Sequence, residues 1–487
     1  MPAVPLERAL RDSADRDPDR AAITDGERSF TRREADGLVD QAAARLRDAG
    51  VRPADPVAIS GANSAELLMT FFAIWRLGGV PVPLHPRKGR AALAELVRRS
   101  GASVAVGFPP GWTGGRPGAD QVELAALFAP GRVDPVPPAP VSPRLRIGTS
   151  GGSTGPSKLI SVDVPAIVNP TRPWHHGMRA DGTHVVPLDL CDGTAFVATT
   201  SALALGCHQV LMRSFDPEEL LRLVEQHRVD WFAATQPVLH GVIKLPAEVR
   251  ARYDVSSLRC VTQYSGAIAE WATRAWLEWL GPNRFAESYG ATDARGSTWI
   301  TGTNWLRRPG SVGIAAAGCE IAIFDPSGVR LPAGELGLVY VRDLTGRRNF
   351  HYLGADADAL DGGWEHFGDL GRLDADGFLY LADRVKDMIL TADGPVTPLP
   401  IEGALEFHPA VRSALVIGLP AADGVERVHA LVDAPHDLVT DAELQDLLLS
   451  RFPGVRVPDT WERTPGPLRD IAGKAPRAAL RADRMTT

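Results

Sequence analysis

The sequence holds no C-x-x-C pair, no long run of cations and no apolar stretch that could cross a bilayer. Each absence closes a class. The four cysteines, Cys191, Cys207, Cys260 and Cys319, are scattered, which excludes zinc-ribbon and dithiol-redox motifs. They read as buried free thiols, at home in a reducing cytoplasm. The most apolar helical segment, LLMTFFAIW, stops at Arg76, short of the roughly 20 residues that a transmembrane helix needs. The amino-terminal MPAVPLERAL has no basic segment followed by an apolar one, so no secretory signal is expected and the cytoplasm is the expected location. With a formal net charge of −7 and no basic stripe, nucleic acid is not an expected partner. A locally positive site for a small anion remains open, because local potential does not follow net charge. There is no internal repeat and no low-complexity tract.

What is present suits a multidomain α/β protein of 487 residues. Residues 57–107 alternate strand and helix signals: VAIS, an apolar helix over 64–77 that Asn63 and Glu66 are expected to cap, then GGVPVPL and SVAVG. This is βαβ patterning, hence a parallel sheet with helices on both faces. A Pro-rich stretch over 133–143 reads as a stiff surface linker. A second α/β run follows, with strands in HVVPLDL, HQVLM, WFAAT, LRCVTQYSG and RFAESYG. Before WFAAT lies a helix that Asp216 caps, with Pro217 at its first position and Glu219 closing a capping box. From about 311 the pattern turns to short strands separated by Gly and Asp, as in a small antiparallel barrel or sheet. After 386 comes an α+β unit: a helix over 400–407, strands SALVIGL and RVHALVD, and a helix over 441–451.

The most unusual stretch is TSGGSTGPSK, residues 149–158. Three readings compete for it. A Walker loop needs Gly-Lys-Ser/Thr, but Gly155 is followed by Pro156 and Ser157, and Lys158 by Leu159. A hydrolase nucleophile elbow needs G-x-S-x-G at a strand-to-helix turn. GTSGG matches with Ser150 as nucleophile, yet the following STGPSK is hostile to a helix. The third reading is an anion nest: glycine-rich backbone aims N–H groups at one point, Ser153 and Thr154 add hydroxyl donors, and Lys158 adds charge. The stretch follows RLRI, a strand, and strand carboxyl ends are where α/β sheets hold ligands.

The stretch resembles the phosphate-binding loop of the adenylate-forming superfamily, which contains acyl- and aryl-CoA synthetases, adenylation domains of nonribosomal peptide synthetases, and luciferases. With Lys158 on that family's lysine, Ser150, Gly151, Gly152, Ser153, Thr154 and Gly155 fall in register, and the proline shifts by one place to Pro156. The form SGGSTGPSKLI looks most like a branch of acyl-CoA ligases for bulky cyclic acids. Three further segments are similar to family motifs in the same order. ESYGATDA implies Tyr289 near adenine, Thr292 at the α-phosphate and Asp293 at Mg²⁺, with Asp in place of the usual Glu. Upstream, the turn after LRCVTQY adds Gly266 and Ala267 to the implied ATP-binding set. GDLGRLDADGFLYLADRVKDMI implies Asp369 and Arg384 at the ribose and Lys386 as the interdomain hinge. LRDIAGKAPRAAL implies Lys474 as the catalytic lysine, with Thr292 as the second catalytic residue.

The resemblance implies a large N-terminal domain over 1–385, with α/β subdomains over about 1–180 and 181–305 and a small β-barrel-like subdomain over 306–385. A small mobile α+β domain over 386–487 would swing about Lys386. The implied reaction is ATP-dependent acid–thiol ligation: a carboxylic acid becomes acyl-AMP with release of pyrophosphate, then the acyl group passes to coenzyme A. The implied cofactors are ATP and Mg²⁺, with CoA as second substrate, in a monomer or homodimer. Rivals are transfer to a carrier protein or an amine, a serine hydrolase built on Ser150, and a nucleotide sensor without catalysis.

Two places depart from the family pattern. The acyl-CoA ligase branch often has a histidine after a Pro-Leu strand end, where this chain has Asp189, Leu190, Cys191 and Asp192. Asp189 and Asp192 either meet the substrate or simply end a strand or cap the next helix, the second being the commoner use of such residues. The following GTAFVATTSALALG is mostly small and apolar, so a roomy apolar acyl pocket walled by Gly290 and Ala291 is expected. After the hinge, GPVTPLPIE is one residue short and puts Pro400 where the family has its first Glu. His175 and His176, just past the loop, have no third ligand at metal spacing.

Overall fold

The computed structural model describes residues 3–109, 112, 120–149, 158–170, 177–264, 266, 268–290, 297–346, 349–354, 359–421, 424–435 and 437–485. Two parallel sheets form the framework of the N-terminal part. In the smaller, Val80–Pro83, Pro56–Ile59, Val104–Val106 and Asp120–Val122 lie side by side and parallel. The larger places Thr183–Val186 between His208–Leu211 and Trp231–Ala234, and then adds Cys260–Tyr264 and Phe285–Ser288, all parallel. Ala21–Asp25 lies parallel beside His208–Leu211, and Arg28–Thr31 pairs antiparallel with Ala21–Asp25 to form the far edge. The parallel strands are Val-, Ala- and Phe-rich and almost wholly buried, as parallel strands covered on both faces must be.

Beyond Phe285–Ser288 the same sheet turns antiparallel. It runs through Thr298–Thr301, Ser311–Ala315, Leu379–Arg384, Trp364–Leu373, Gly337–Asp343 and Cys319–Phe324. The expected short-strand unit is therefore an antiparallel extension of the central sheet. Gly313 marks the change of register: its φ is +101°, and a Cβ there would lie 2.2 Å from the Trp299 carbonyl oxygen.

The C-terminal domain has its own core, with Ile401, Leu405, Val416, Val428, Ala430, Leu444 and Leu448 all buried. Ser413–Pro420 and Glu426–Asp433 pair antiparallel, Thr460–Arg463 joins parallel, and helices Pro398–Leu405, Asp441–Arg451 and Arg477–Met485 accompany them. The Asp441–Arg451 helix starts on a full capping box from Thr440 and Glu443. Deep in this domain Glu402, 1% exposed, accepts Arg477 Nη1 at 2.6 Å, Arg477 Nη2 at 2.9 Å and the Val416 N–H at 2.7 Å, and pairs with Arg469. Burial by itself would raise the Glu402 carboxyl, but the two guanidinium groups hold it below the usual range.

The two domains meet through directional contacts. Thr235 Oγ1 donates to the Ile471 carbonyl at 2.6 Å, Trp271 Nε1 to the Gly403 carbonyl at 2.8 Å, and Gln236 Nε2 to Glu406 Oε2 at 2.8 Å. Lys244 donates to the Val411 carbonyl. A Cβ on Gly403 would meet the Ala269 Cβ at 2.9 Å, so the close approach of the domains requires glycine there.

Two local expectations are corrected. Ser64, not Asn63, caps the apolar helix, which runs Ala65–Arg76; Ser64 accepts the Leu67 N–H at 3.1 Å. Asn63 is buried and clamps the strand ends instead. Its amide donates to the Leu188 and Met212 carbonyls at 2.9 Å and accepts the Leu190 N–H at 2.8 Å. Asp216 caps its helix as expected, but Glu219 turns to Arg222 Nε at 2.6 Å, and only the Asp216 half of the capping box is seen.

Loss of the three Asn63 bonds in Asn63→Ala is expected to cost about 2–4 kcal/mol, read as a lower urea midpoint at unchanged m-value. Glu402→Ala leaves two buried guanidinium groups without their shared carboxylate. It is expected to cost about 3–5 kcal/mol, seen as an early unfolding step of the C-terminal domain by hydrogen exchange.

Candidate active site

Several of the residues singled out in the sequence lie just past the carboxyl ends of parallel strands, with Thr235 beside them. Residues 187–192 follow Thr183–Val186, Thr235 follows Trp231–Ala234, Gly266 follows Cys260–Tyr264, and Tyr289 and Gly290 follow Phe285–Ser288. In the smaller sheet, Val80–Pro83 delivers His85. At such ends backbone N–H groups and loop side chains converge on a ligand without disturbing the ladder.

Two groups of side chains assemble there. In the first, Tyr289 Oη donates to Asp369 Oδ2 at 2.6 Å and Arg384 Nε to Asp369 Oδ1 at 3.2 Å. Asp369 stands opposite Arg384 on neighbouring strands, so the pairing is a product of register. Tyr289 is buried against Val312 and Val339. Lys386 follows directly in a short 3₁₀ turn, Val385–Asp387. Burial and the nearby Arg384 lower its ammonium pKa. Gly266 is exposed, and its carbonyl accepts Gln263 Nε2 at 2.7 Å.

The second group straddles the two domains. Lys474 Nζ stands 3.5 Å from Asp192 Oδ1. The turn bearing this lysine is tied twice to Asp470, whose carboxylate accepts the Lys474 N–H at 2.8 Å and whose own N–H donates to the Lys474 carbonyl at 3.0 Å. Asp189 accepts His85 Nε2 at 2.9 Å and Arg87 Nη2 at 2.5 Å. His85 Nδ1 accepts the Arg87 N–H at 3.0 Å, which leaves the ring proton on Nε2, facing Asp189. Burial would raise the Asp189 carboxyl, but the His85 hydrogen bond and the Arg87 charge outweigh it and hold it low. Burial raises Asp470 above the usual range. Burial and then the Lys474 charge lower Lys88.

Ser150, Gly151, Gly152, Ser153, Thr154 and Gly155 lie outside the described residues, as do Ala267, Ala291, Thr292, Asp293, His175 and His176. The chain on both sides of the glycine-rich loop is described. Arg146–Thr149 and Leu159–Val162 pair antiparallel, with Thr149 opposite Leu159. The loop follows a strand's carboxyl end, as the sequence suggested, and its two flanking strands are neighbours in a three-stranded antiparallel sheet. The next element among the described residues is a strand, Leu159–Val162, where a nucleophile elbow on Ser150 would lead into a helix. Lys158 is exposed at the hairpin, its ammonium 5.1 Å from the centre of the Tyr352 ring. Gly290 is exposed and bridges to Ser297.

The sequence reading missed His85, Arg87, Lys88, Asp470 and Tyr352. The first three sit in HPRK, immediately after a buried strand. A cluster of cationic and imidazole groups at a strand's carboxyl end was the available signal. Asp470 and Tyr352 are brought in only by tertiary contact.

Comparison with known proteins gives the family. Residues 10–345 match the family described as AMP-binding enzyme. A feruloyl-CoA synthase of Amycolatopsis sp. is 30% identical over 481 residues, covering 92% of each chain. An indoleacetate–CoA ligase of Aromatoleum aromaticum is 29% identical, covering 82% of each. Among solved structures, o-succinylbenzoate CoA synthetase of Bacillus subtilis superimposes with a TM-score of 0.82 at 21% identity over 99% of both chains. The anthranilate CoA ligase AuaEII does so with a TM-score of 0.83 at 21% identity over 99% of this chain and 98% of that one. The chain belongs to the AMP-binding, adenylate-forming enzymes and is a member of their AMP-forming acid–CoA ligase family.

Proposed function

We propose that this enzyme activates a bulky, apolar, cyclic or aromatic carboxylic acid as its acyl-AMP, releases pyrophosphate, and passes the acyl group to coenzyme A. The observation that carries the reading is the meeting of Lys474, on the C-terminal domain, with the 187–192 turn at the strand ends of the N-terminal domain. An ammonium delivered there by a separate domain is what the first half-reaction needs. Support for the acid class comes from relatives named for feruloyl and indoleacetate substrates.

A carboxylate is a poor acyl donor because it lacks a good leaving group. Attack of its oxygen on the α-phosphorus of ATP forms the carboxyl–phosphate bond and breaks the bond to pyrophosphate. The obstacle is an anion approaching a polyanion, so catalysis is positioning and charge neutralisation. Tyr289, Asp369 and Arg384 form the nucleoside end: the Asp369 carboxylate can accept both ribose hydroxyls while Arg384 and Tyr289 hold it in place. The loop 150–158 holds the departing pyrophosphate through its N–H groups and Lys158. Gly266 and Ala267 would lie along the nucleotide, Thr292 would meet the α-phosphate, and Asp293 would help to hold Mg²⁺, which would supply screening of the phosphate charge. Lys474 sits between the acid carboxylate and the α-phosphate. In a closed site such a contact contributes ~3–4 kcal/mol. Holding both reactants in line supplies up to ~7–11 kcal/mol in well-oriented systems.

The domain boundary belongs to the same proposal. With residues 1–385 on one side and 386–487 on the other, rotation about Lys386 would withdraw Lys474 after adenylation and admit the thiol, so that two half-reactions share one site. The close domain contacts through Thr235, Trp271 and Gln236 support assigning the present pose to the first half-reaction. Asp189, held by His85 and Arg87, would fix the floor of the acid site, and Gly290 and Ala291 would leave it room.

The test is a panel of ferulic, bile-acid-like, terpenoid, fatty and amino acids, scored by acid-dependent pyrophosphate release, with products weighed by mass spectrometry in the presence of CoA, a carrier protein or an amine. Aryl and cyclic acids with CoA are expected to lead; preference for a fatty acid or for an amine acceptor would overturn the reading. Lys474→Ala is expected to lose roughly 10²–10³-fold in adenylation rate while ATP binding, followed by calorimetry, changes little. Asp369→Ala is expected to raise the KM for ATP by roughly 10–100-fold, the loss of charge-assisted hydrogen bonds, with a smaller effect on kcat.

A further inference from the structure

Three carboxylates and three cations converge where the C-terminal segment meets the strand ends: Asp189, Asp192 and Asp470 with Arg87, Lys88 and Lys474. Two of the carboxylates have other employment. Asp189 is engaged by His85 and Arg87. Asp470 accepts the backbone N–H of Lys474 and so shapes the turn that carries it. Asp192 is different. It occupies the N-cap position of the helix Gly193–Ala204, where an aspartate normally accepts an N–H of the first turn, yet its side chain makes no capping hydrogen bond. Its carboxylate points instead at Lys474 Nζ, 3.5 Å away, with 15% of the Asp192 side chain and 36% of the Lys474 side chain exposed.

We propose that Asp192 is a positioning residue for adenylation: the counter-ion that holds the Lys474 ammonium at the strand ends before the reactants arrive, and from which the ammonium passes to the acid carboxylate and the α-phosphate. The inference rests on the reading of Lys474 given above. A lysine has a four-carbon stem with many rotamers, and ordering it in the transition state carries an entropic penalty. A carboxylate placed beside the reaction site bears that ordering in the resting enzyme. The Lys474 backbone is fixed independently: Asp470 holds the turn, Arg469 reaches the Gly473 carbonyl at 3.3 Å, and Glu402 clamps Arg469 and Arg477 on either side. Asp192 supplies what those contacts do not, a direction for the side chain. Lys88 lies in the field of both Lys474 and Asp192, and it offers a second cation to Asp192 once Lys474 has moved.

The test is steady-state pyrophosphate release by the full-length enzyme with ATP and the fastest acid of the panel above. Asp192→Asn is expected to lower kcat about tenfold, the rate equivalent of losing side-chain preorganisation, with the KM for ATP changed less than about twofold because the nucleoside contacts are untouched. Asp192→Glu, which keeps the charge, is expected to recover most of the loss. In a Lys474→Ala background Asp192→Asn is expected to have no further effect, which separates positioning of the lysine from a structural role; thermal unfolding of each variant verifies that it is folded. An unchanged kcat in Asp192→Asn overturns the proposal, as does an equal loss with and without Lys474. Near-normal turnover in Lys474→Ala would instead bring down the underlying reading of the lysine. Loss in Lys474→Ala with none in Asp192→Asn removes the Asp192 assignment alone.

Discussion

The buried carboxylate of Glu402 fixes the segment that carries Lys474. Arg469 and Arg477 flank Lys474 in sequence, and both reach into the C-terminal core to share that one carboxylate. Arg477 grips the carboxylate with both terminal nitrogens, which fixes angle as well as distance, and Arg469 adds a single bond to the same group. The turn between them is thereby pinned at both ends. A flexible lysine on a loose C-terminal tail would offer charge without direction. Here the tail has become a bracket, and only the lysine stem retains freedom.

That bracket matters because Lys474 meets Asp192 across a domain junction, where the proposed chemistry would draw its groups from both sides. The N-terminal domain offers strand ends, which present N–H groups and loop side chains in one plane. The C-terminal domain offers the ammonium. Thr235 grips the chain at Ile471, three residues before Lys474, while Trp271 and Gln236 grip Gly403 and Glu406 beside the Glu402 joint. The hydrogen bonds are joined by apolar contacts, with Ile471 packed on the N-terminal core and Trp271 edge-on to Phe407. The proposed alternation of the domain would require this junction to be remade in a second orientation.

Much of this was legible in the sequence. The apolar strands alternating with helices gave the parallel sheets, and Asp216 and the short-strand stretch behaved as expected. The pairing of Asp369 with Arg384 across neighbouring strands agrees with motifs read one after the other along the chain. The failures share a cause. Asn63 stands where a helix cap is expected, but the buried carbonyls of Leu188 and Met212, far away in sequence, compete for its amide and win. Glu219 stands where a capping-box partner is expected, but Arg222 takes its carboxylate. HPRK looks like a surface turn until His85 and Arg87 are seen to reach Asp189 of the other sheet's loop.

The sequence by itself determined the chemistry available: a glycine-rich loop with a lysine, a tyrosine and two aspartates in order, and a lysine near the carboxyl terminus. These are local patterns, and local patterns survive in one dimension because they depend on backbone freedom and side-chain type alone. Tertiary structure decided which charges meet. That Asp192 leaves its helix uncapped to face Lys474, and that Asp189 is already taken by His85 and Arg87, follows from the packing of two domains. Charge pairing is set by distances of a few ångströms between segments hundreds of residues apart, and no spacing along a chain encodes them.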